Sequence, residues 1–299
     1  MADATSVDVG GHTVRLTNLT KVLYPDAGFA KADVIGYYAS VAHVMLPHIA
    51  GRALTFTRWP NGVDGSSFFE KNRPSHAPDF VGVADAPGRV RSSVLTDAAG
   101  LVWAGNQAAL EIHVPMAMAA DLDTPTAVVF DLDPGAPADL VDCCQVALAL
   151  REVLGSVDLE AFPKTSGSKG LQVYVPVHGS DTTHDHASSF ALAVGQLLSR
   201  QHPDRVLVEM AKAKRPGKVF VDWSQNNRAK TTIGAYSLRA RRRPTVSTPV
   251  TWDEVDAMAS MDRGAARQFE AAEVIERIDR LGDLFAPVAS LEQELPGGG

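Results

Sequence analysis

Cysteine is nearly missing: the 299 residues hold two, Cys143 and Cys144, side by side. Adjacent cysteines cannot close an ordinary disulfide with each other, and no third cysteine completes a soft metal site. They read as small apolar residues on a buried helix. Long apolar runs are lacking too, since no stretch approaches the roughly 20 residues of a membrane-spanning helix. Met1 to Val9 is polar, without the basic and apolar regions of a secretory leader, so a cytoplasmic protein is expected. There is no internal repeat. What remains is 45% hydrophobic and 21% charged, the profile of a globular chain with a sizeable core.

Charge is unevenly spread. The net charge of −7 argues by itself against a polyanionic partner. Between Arg205 and Arg243, however, stand 11 Lys and Arg against 2 acids, a local +9 that leaves −16 for the rest. A phosphate backbone responds to the local field, so this segment keeps nucleic acid open as a partner. A solvated charged surface would look the same at this stage.

Periodicity gives the organisation. A strand or two lies near Val14 to Leu16. A helix then runs from Ala32 to Leu46 with Val34, Ile35, Tyr38, Val41, Ala42 and Met45 on one face, and Pro47 is expected to stop it. Ala53 to Arg58 is strand-like and ends in a Pro-Asn-Gly turn. Residues 72–100 read as loops and short strands. Strands are expected at 127–132, 171–177, 206–209 and 218–223, with helices at 138–154 and 185–200. That alternation predicts an α/β or α+β sheet with helices packed on it. The tail from Thr251 is acidic, with Val274, Ile275, Ile278, Leu281 and Phe285 at helical spacing, and the closing Leu-Pro-Gly-Gly-Gly reads as a linker.

The chemistry concentrates in three places. In Phe130-Asp131-Leu132-Asp133-Pro134, residues two apart on a strand face the same side, so both carboxylates project together. Like charges that close repel unless a cation sits between them, and oxygen ligands suit Mg²⁺ or Mn²⁺. Turn chemistry alone would explain Asp133 but not Asp131, which follows four apolar residues. A second apolar strand, Val219-Phe-Val-Asp222, also ends in a carboxylate. Three carboxylates are what a two-metal phosphoryl-transfer site commonly uses, although Asp222 alone could be a strand-end cap. Between them lies Lys164-Thr-Ser166-Gly-Ser-Lys169-Gly170, whose glycines, hydroxyls, amides and lysine can donate to phosphate. It is not a Walker loop, because the spacing differs and a strand follows.

The ordered combination resembles the archaeo-eukaryotic primase superfamily, and more closely the polymerase domain of bacterial ligase D and its stand-alone relatives. The resemblance runs from about Asn18 to about Trp252. It includes the segments Asn18 to Pro25, Arg58 to Val63, Phe68 to Lys71, Ile112 to Pro115, Gly217 to Asn226, Lys230 to Ile233 and Tyr236 to Arg239. It implies a primase-type fold, a single domain with a small mixed sheet carrying the acidic triad and helices around it. Within it, 10–125 would contact DNA ends, 126–250 form the catalytic core and 251–290 supply C-terminal helices. No ligase nucleotidyl-lysine motif or phosphoesterase segment accompanies it.

The roles implied are those of a template-using repair polymerase that fills gaps or ends with ribonucleotides favoured. Asp131, Asp133 and Asp222 would hold two divalent ions, Mn²⁺ or Mg²⁺. Ser166, Lys169 and Arg239 would grip the nucleoside triphosphate, with His113 at its sugar or phosphate. The residue after Leu171, usually His in the family, is here Gln172, and it would lie among these nucleotide contacts. Phe68 and Phe69 would stack on bases. Lys21 and Lys31, with Asn18, would bind the 5′-phosphate across a gap, and Arg215 and Lys230 belong to the basic DNA-binding segment. Partners would be gapped or broken DNA, a Ku-type end-binding protein and a ligase, in the bacterial nucleoid. A second departure is Thr57, where relatives place Lys before the arginine. Gln172 also keeps open a catalytically weak end-binding module, and a metal-dependent phosphoesterase is the third reading.

Overall fold

The structure, a computed structural model, describes residues 4–297. Its contacts sort into two units interleaved along the chain. One comprises the residues up to Pro115, Thr231–Ser247 and Phe269–Asp283, the other Met116–Lys230, Thr248–Gln268 and the chain from Leu284 on.

In the first unit the helix Lys31–Ile49 buries Val34, Ile35, Tyr38, Val41, Ala42 and Met45, as the spacing predicts. Pro47 does not end it. A proline lacks only its own N–H, here one bond of the last turn, and Ala50 N still closes on Leu46 O at 2.9 Å. The helix Ala98–Asn106, capped by Asp97, packs against it. All but one of its residues are buried, so it shows no one-sided pattern to read from sequence. A four-stranded antiparallel sheet follows the order Thr231–Ile233, Ala109–Pro115, Thr55–Arg58, Phe68–Glu70. The helix Ala271–Leu281 closes this unit, with Val274 and Ile278 buried. It stops at Gly282, whose φ of +68° suits glycine. Phe285, expected on that helix, instead lies in the second unit, edge-on to Tyr174 at 5.2 Å.

The second unit is built on a five-stranded mixed sheet in the order Phe162–Thr165, Leu171–Pro176, Ala127–Pro134, Val219–Asp222, Val206–Leu207. The last pair is parallel and the others antiparallel. Phe190 of the helix His184–Gln201 meets Phe130 at 6.4 Å, so that helix covers the face bearing Phe130. Asp131 and Asp133 emerge on the opposite face. Cys143 and Cys144 are buried on the helix Leu140–Gly155, as read from sequence. A further helix, Trp252–Ala259, starts with a capping box between Thr251 and Glu254. Leu295 of the expected linker is buried, while Gly298 and Gly299 lie outside the described residues. The fold is α+β, with small sheets and six α-helices among the described residues. None of these helices is long and apolar enough to cross a membrane.

Candidate active site

The acidic residues owe their places to strand register. Asp131 pairs with Asp222 on one side and Gln172 on the other, and Gln172 pairs with Lys164. Directly opposed residues share a face, so Lys164, Gln172, Asp131 and Asp222 form one row across four strands. Asp133, two residues on from Asp131, joins that face. Burial first, and then the charges of Asp222 and Asp133, push the Asp131 carboxyl up to about 6, against the pull of Gln172 and Lys164.

Each carboxylate is already held. Asp131 Oδ1 accepts from Gln172 Nε2 at 3.1 Å. Asp133 meets Lys169 Nζ at 2.9 Å and Arg215 Nη1 at 3.2 Å, and Arg215 also lies over the Phe220 ring at 3.8 Å. Asp222 does cap the turn that follows it. Its Oδ1 accepts from Ser224 N and Oγ, and its Oδ2 from Gln225 Nε2 at 2.9 Å. Asn226 fixes that turn by pairing both ways with the Val129 backbone. Among the described residues no three His, Cys, Asp or Glu side chains converge as a ready-made metal group. The donor set nonetheless suits divalent ions. Three carboxylates share one face, Asp131 is pushed up by burial and then by its like-charged neighbours, and Asp133 already draws two cations.

The loop after Lys164 is tightly closed. Ser166 Oγ accepts from the amides of Ser168 at 3.2 Å and Gly170 at 3.1 Å, so this hydroxyl shapes the loop. A Cβ on Gly170 would fall 2.1 Å from Leu132 O, so only glycine lets the loop lie against the Asp131 strand. Lys169 is well exposed and bonds Pro134 O as well as Asp133.

The first unit holds its own cluster. Glu111 accepts from Arg239 Nε at 2.9 Å and pairs with His113 Nε2 at 3.1 Å. Burial alone would raise Glu111, but its partners His113 and Arg239 outweigh it and hold the carboxyl at about 2. His113 also lies 6.2 Å from the ring of Phe69. Phe68 and Phe69 are exposed, which a core role would not allow, and Arg58 reaches over Phe68 while pairing with Glu70. Thr57 is buried and its hydroxyl has no partner among the described residues. Asn18, Lys21 and Lys31 meet through the backbone, since Lys21 N bonds Asn18 O and Lys31 N bonds Lys21 O. Lys21 Nζ reaches Asn61, whereas Lys31 is buried with Nζ on Thr17 O at 2.7 Å. Burial, then the charges of Lys21 and Arg58, lower Lys31 to about 8. Lys230 is exposed at the end of the second unit's main segment.

Sequence reasoning missed four participants: Glu111, Lys164, Ser224 and Gln225. Glu111 and His113 stand two apart on a strand, a spacing that could have revealed the pair. A lysine inside the apolar sheet carried no such signal.

The family model for the LigD primase-polymerase domain matches residues 30–285. The chain belongs to this family. The multifunctional end joining protein LigD of Mycolicibacterium smegmatis is 46% identical over 280 residues, covering 92% of this chain and 36% of that protein. The bifunctional LigD of Bacillus subtilis is 32% identical over 272 residues, covering 91% of this chain and 43% of that protein. The chain thus spans well under half the length of these curated relatives. A solved polymerase domain of Mycobacterium tuberculosis ligase D in complex with DNA superposes with a TM-score of 0.86 at 44% identity, covering 94% of this chain and 99% of that one. A primase-polymerase is by definition a nucleotidyltransferase, so the class of reaction enters with the family, and with it dependence on a metal.

Proposed function

We propose that this LigD-family domain fills short gaps or ends in broken DNA, adding nucleotides, ribonucleotides by preference, to a primer 3′-hydroxyl opposite a template. The observation that carries the reading is the register that sets Asp222 against Asp131 with Asp133 two residues along. Asp131, Asp133 and Asp222 would hold two divalent ions, Mg²⁺ or Mn²⁺. Bound there, such ions lower the pKa of a hydroxyl nucleophile and neutralise charge on a leaving phosphate.

The chain's own residues do the rest. Lys169, exposed and flexible, can leave Asp133 for a phosphate oxygen. The Ser166 hydroxyl keeps the loop amides in place. His113 and Arg239, both bonded to Glu111, serve as donors to the nucleotide. Phe68 and Phe69 offer the exposed ring faces that base stacking needs. Asn18, Lys21 and Lys31 form a cationic turn suited to a 5′-phosphate, and Arg215 and Lys230 add positive charge for the backbone. A Ku-type protein and a ligase are the expected partners, on bacterial nucleoid DNA.

Primer extension on a gapped duplex carrying a 5′-phosphate, with Mn²⁺ and nucleoside triphosphates, tests this reading. Templated addition supports it. Binding without addition would favour an end-binding module, and phosphate release without addition a phosphoesterase.

A further inference from the structure

Two members of the four-strand row have no role in the reading above. Lys164 is fully buried, which is costly for an ammonium unless its charge is engaged. Its Nζ donates to Gln172 Oε1 at 2.5 Å and lies 5.4 Å from the Tyr174 ring centre. Gln172 is itself only 4% exposed. An ammonium has donors and no acceptor, so the amide must turn its oxygen to Lys164 and its NH₂ the other way. The other way is Asp131, whose Oδ1 receives Nε2 at 3.1 Å. Carboxylate and ammonium therefore select the same orientation of the amide, since the reverse one would set oxygen against oxygen at Asp131 and N–H against N–H at Lys164.

We propose that Lys164 and Gln172 are positioning residues for Asp131: Lys164 fixes the orientation of the Gln172 amide, and the amide holds Asp131 Oδ1, leaving Oδ2 for a metal. This rests on the reading of Asp131 as a metal ligand. Partners that orient a metal's ligands characteristically contribute about 10- to 100-fold to metal affinity. The effect of Lys164 passes through Gln172, so the two residues act as one unit.

The test is Mn²⁺ binding to the whole chain without DNA or nucleotide, by calorimetry or the signal of free Mn²⁺, with thermal denaturation alongside. Gln172→Met keeps volume but loses both bonds, and affinity should fall about tenfold. Gln172→His also keeps volume, and its neutral ring can accept from Lys164 and donate to Asp131, so affinity should stay near wild type. Lys164→Met should weaken binding alone and add nothing in the Gln172→Met background. Should Lys164→Met not fold, the contrast between the two Gln172 variants decides. Wild-type affinity in Gln172→Met, equal loss in Gln172→His, or multiplying costs in the double variant would each overturn the proposal. Asp131→Ala separates the two levels. If it leaves Mn²⁺ binding intact, the ligand reading itself fails, and if it alone weakens binding, only the positioning role fails.

Discussion

Asp131 and Asp133 sit two residues apart but answer to different neighbours, and their variants should differ accordingly. Asp131 is held by a neutral amide, Asp133 by Lys169 and Arg215. Asp131→Ala and Asp133→Ala should both abolish primer extension. Only Asp133→Ala also unmasks two cations, so it should bind DNA more tightly than Asp131→Ala in a filter-binding or anisotropy titration. Equal DNA affinities would mean that the two ion pairs do not restrain these cations. Glu111 gives a stability test. Its carboxyl is lowered from 4.5 to about 2, so its contribution is present above 4.5 and lost as pH falls toward 2. Glu111→Gln should cost on the order of 3 kcal/mol near neutral pH, with the gap to wild type closing across that window in denaturant titrations. Lys31 has the opposite sense. An amine lowered from 10.5 to about 8 burdens the fold below 8 and is relieved above 10.5. The preference for 5′-phosphorylated over unphosphorylated gaps should therefore weaken as pH rises through about 8, and Lys31→Ala should flatten that profile. A preference that stays constant from pH 7 to 9 would remove Lys31 from phosphate binding.

At the scale of elements, apolar runs made the strands that carry chemistry legible. An apolar run ending in Asp-Leu-Asp announces a strand with two carboxylates on one side, and the structure has it. Which strand lies beside which was not legible, because pairing partners are distant in sequence. The row from Lys164 to Asp222 is for that reason visible only in the fold, and so is the engagement of Gln172 with Asp131. Pro47 misled by marking a helix end at Leu46, three residues early, and the Ala98–Asn106 helix escaped because burial on every side erases periodicity. The Ser-Gly-Ser-Lys-Gly loop was visible as a donor-rich turn, but the need for Gly170 comes from its approach to Leu132 O. Gly170→Ala should destabilise the chain by about 1–3 kcal/mol through overpacking and should lower extension with it. An unchanged melting temperature would show that the loop can move aside.

Across the whole molecule, the basic stretch that first suggested nucleic acid is divided between the two units. It crosses from one unit to the other after Lys230, and several of its cations are paired with acids from the rest of the chain, as Arg239 with Glu111 and Arg242 with Asp26. Net charge was thus a poor guide and family motifs a good one, because the motifs name positions while the sum ignores pairing.

The central claim is that three carboxylates on one sheet face support metal-dependent nucleotidyl transfer. The most direct measurement is single-nucleotide extension of a gapped, 5′-phosphorylated duplex by wild type and Asp131→Ala, each with Mn²⁺ and with chelator. The account predicts addition by wild type with Mn²⁺ alone, and none by Asp131→Ala although it still binds the duplex. Addition that survives either the chelator or the loss of Asp131 would contradict it.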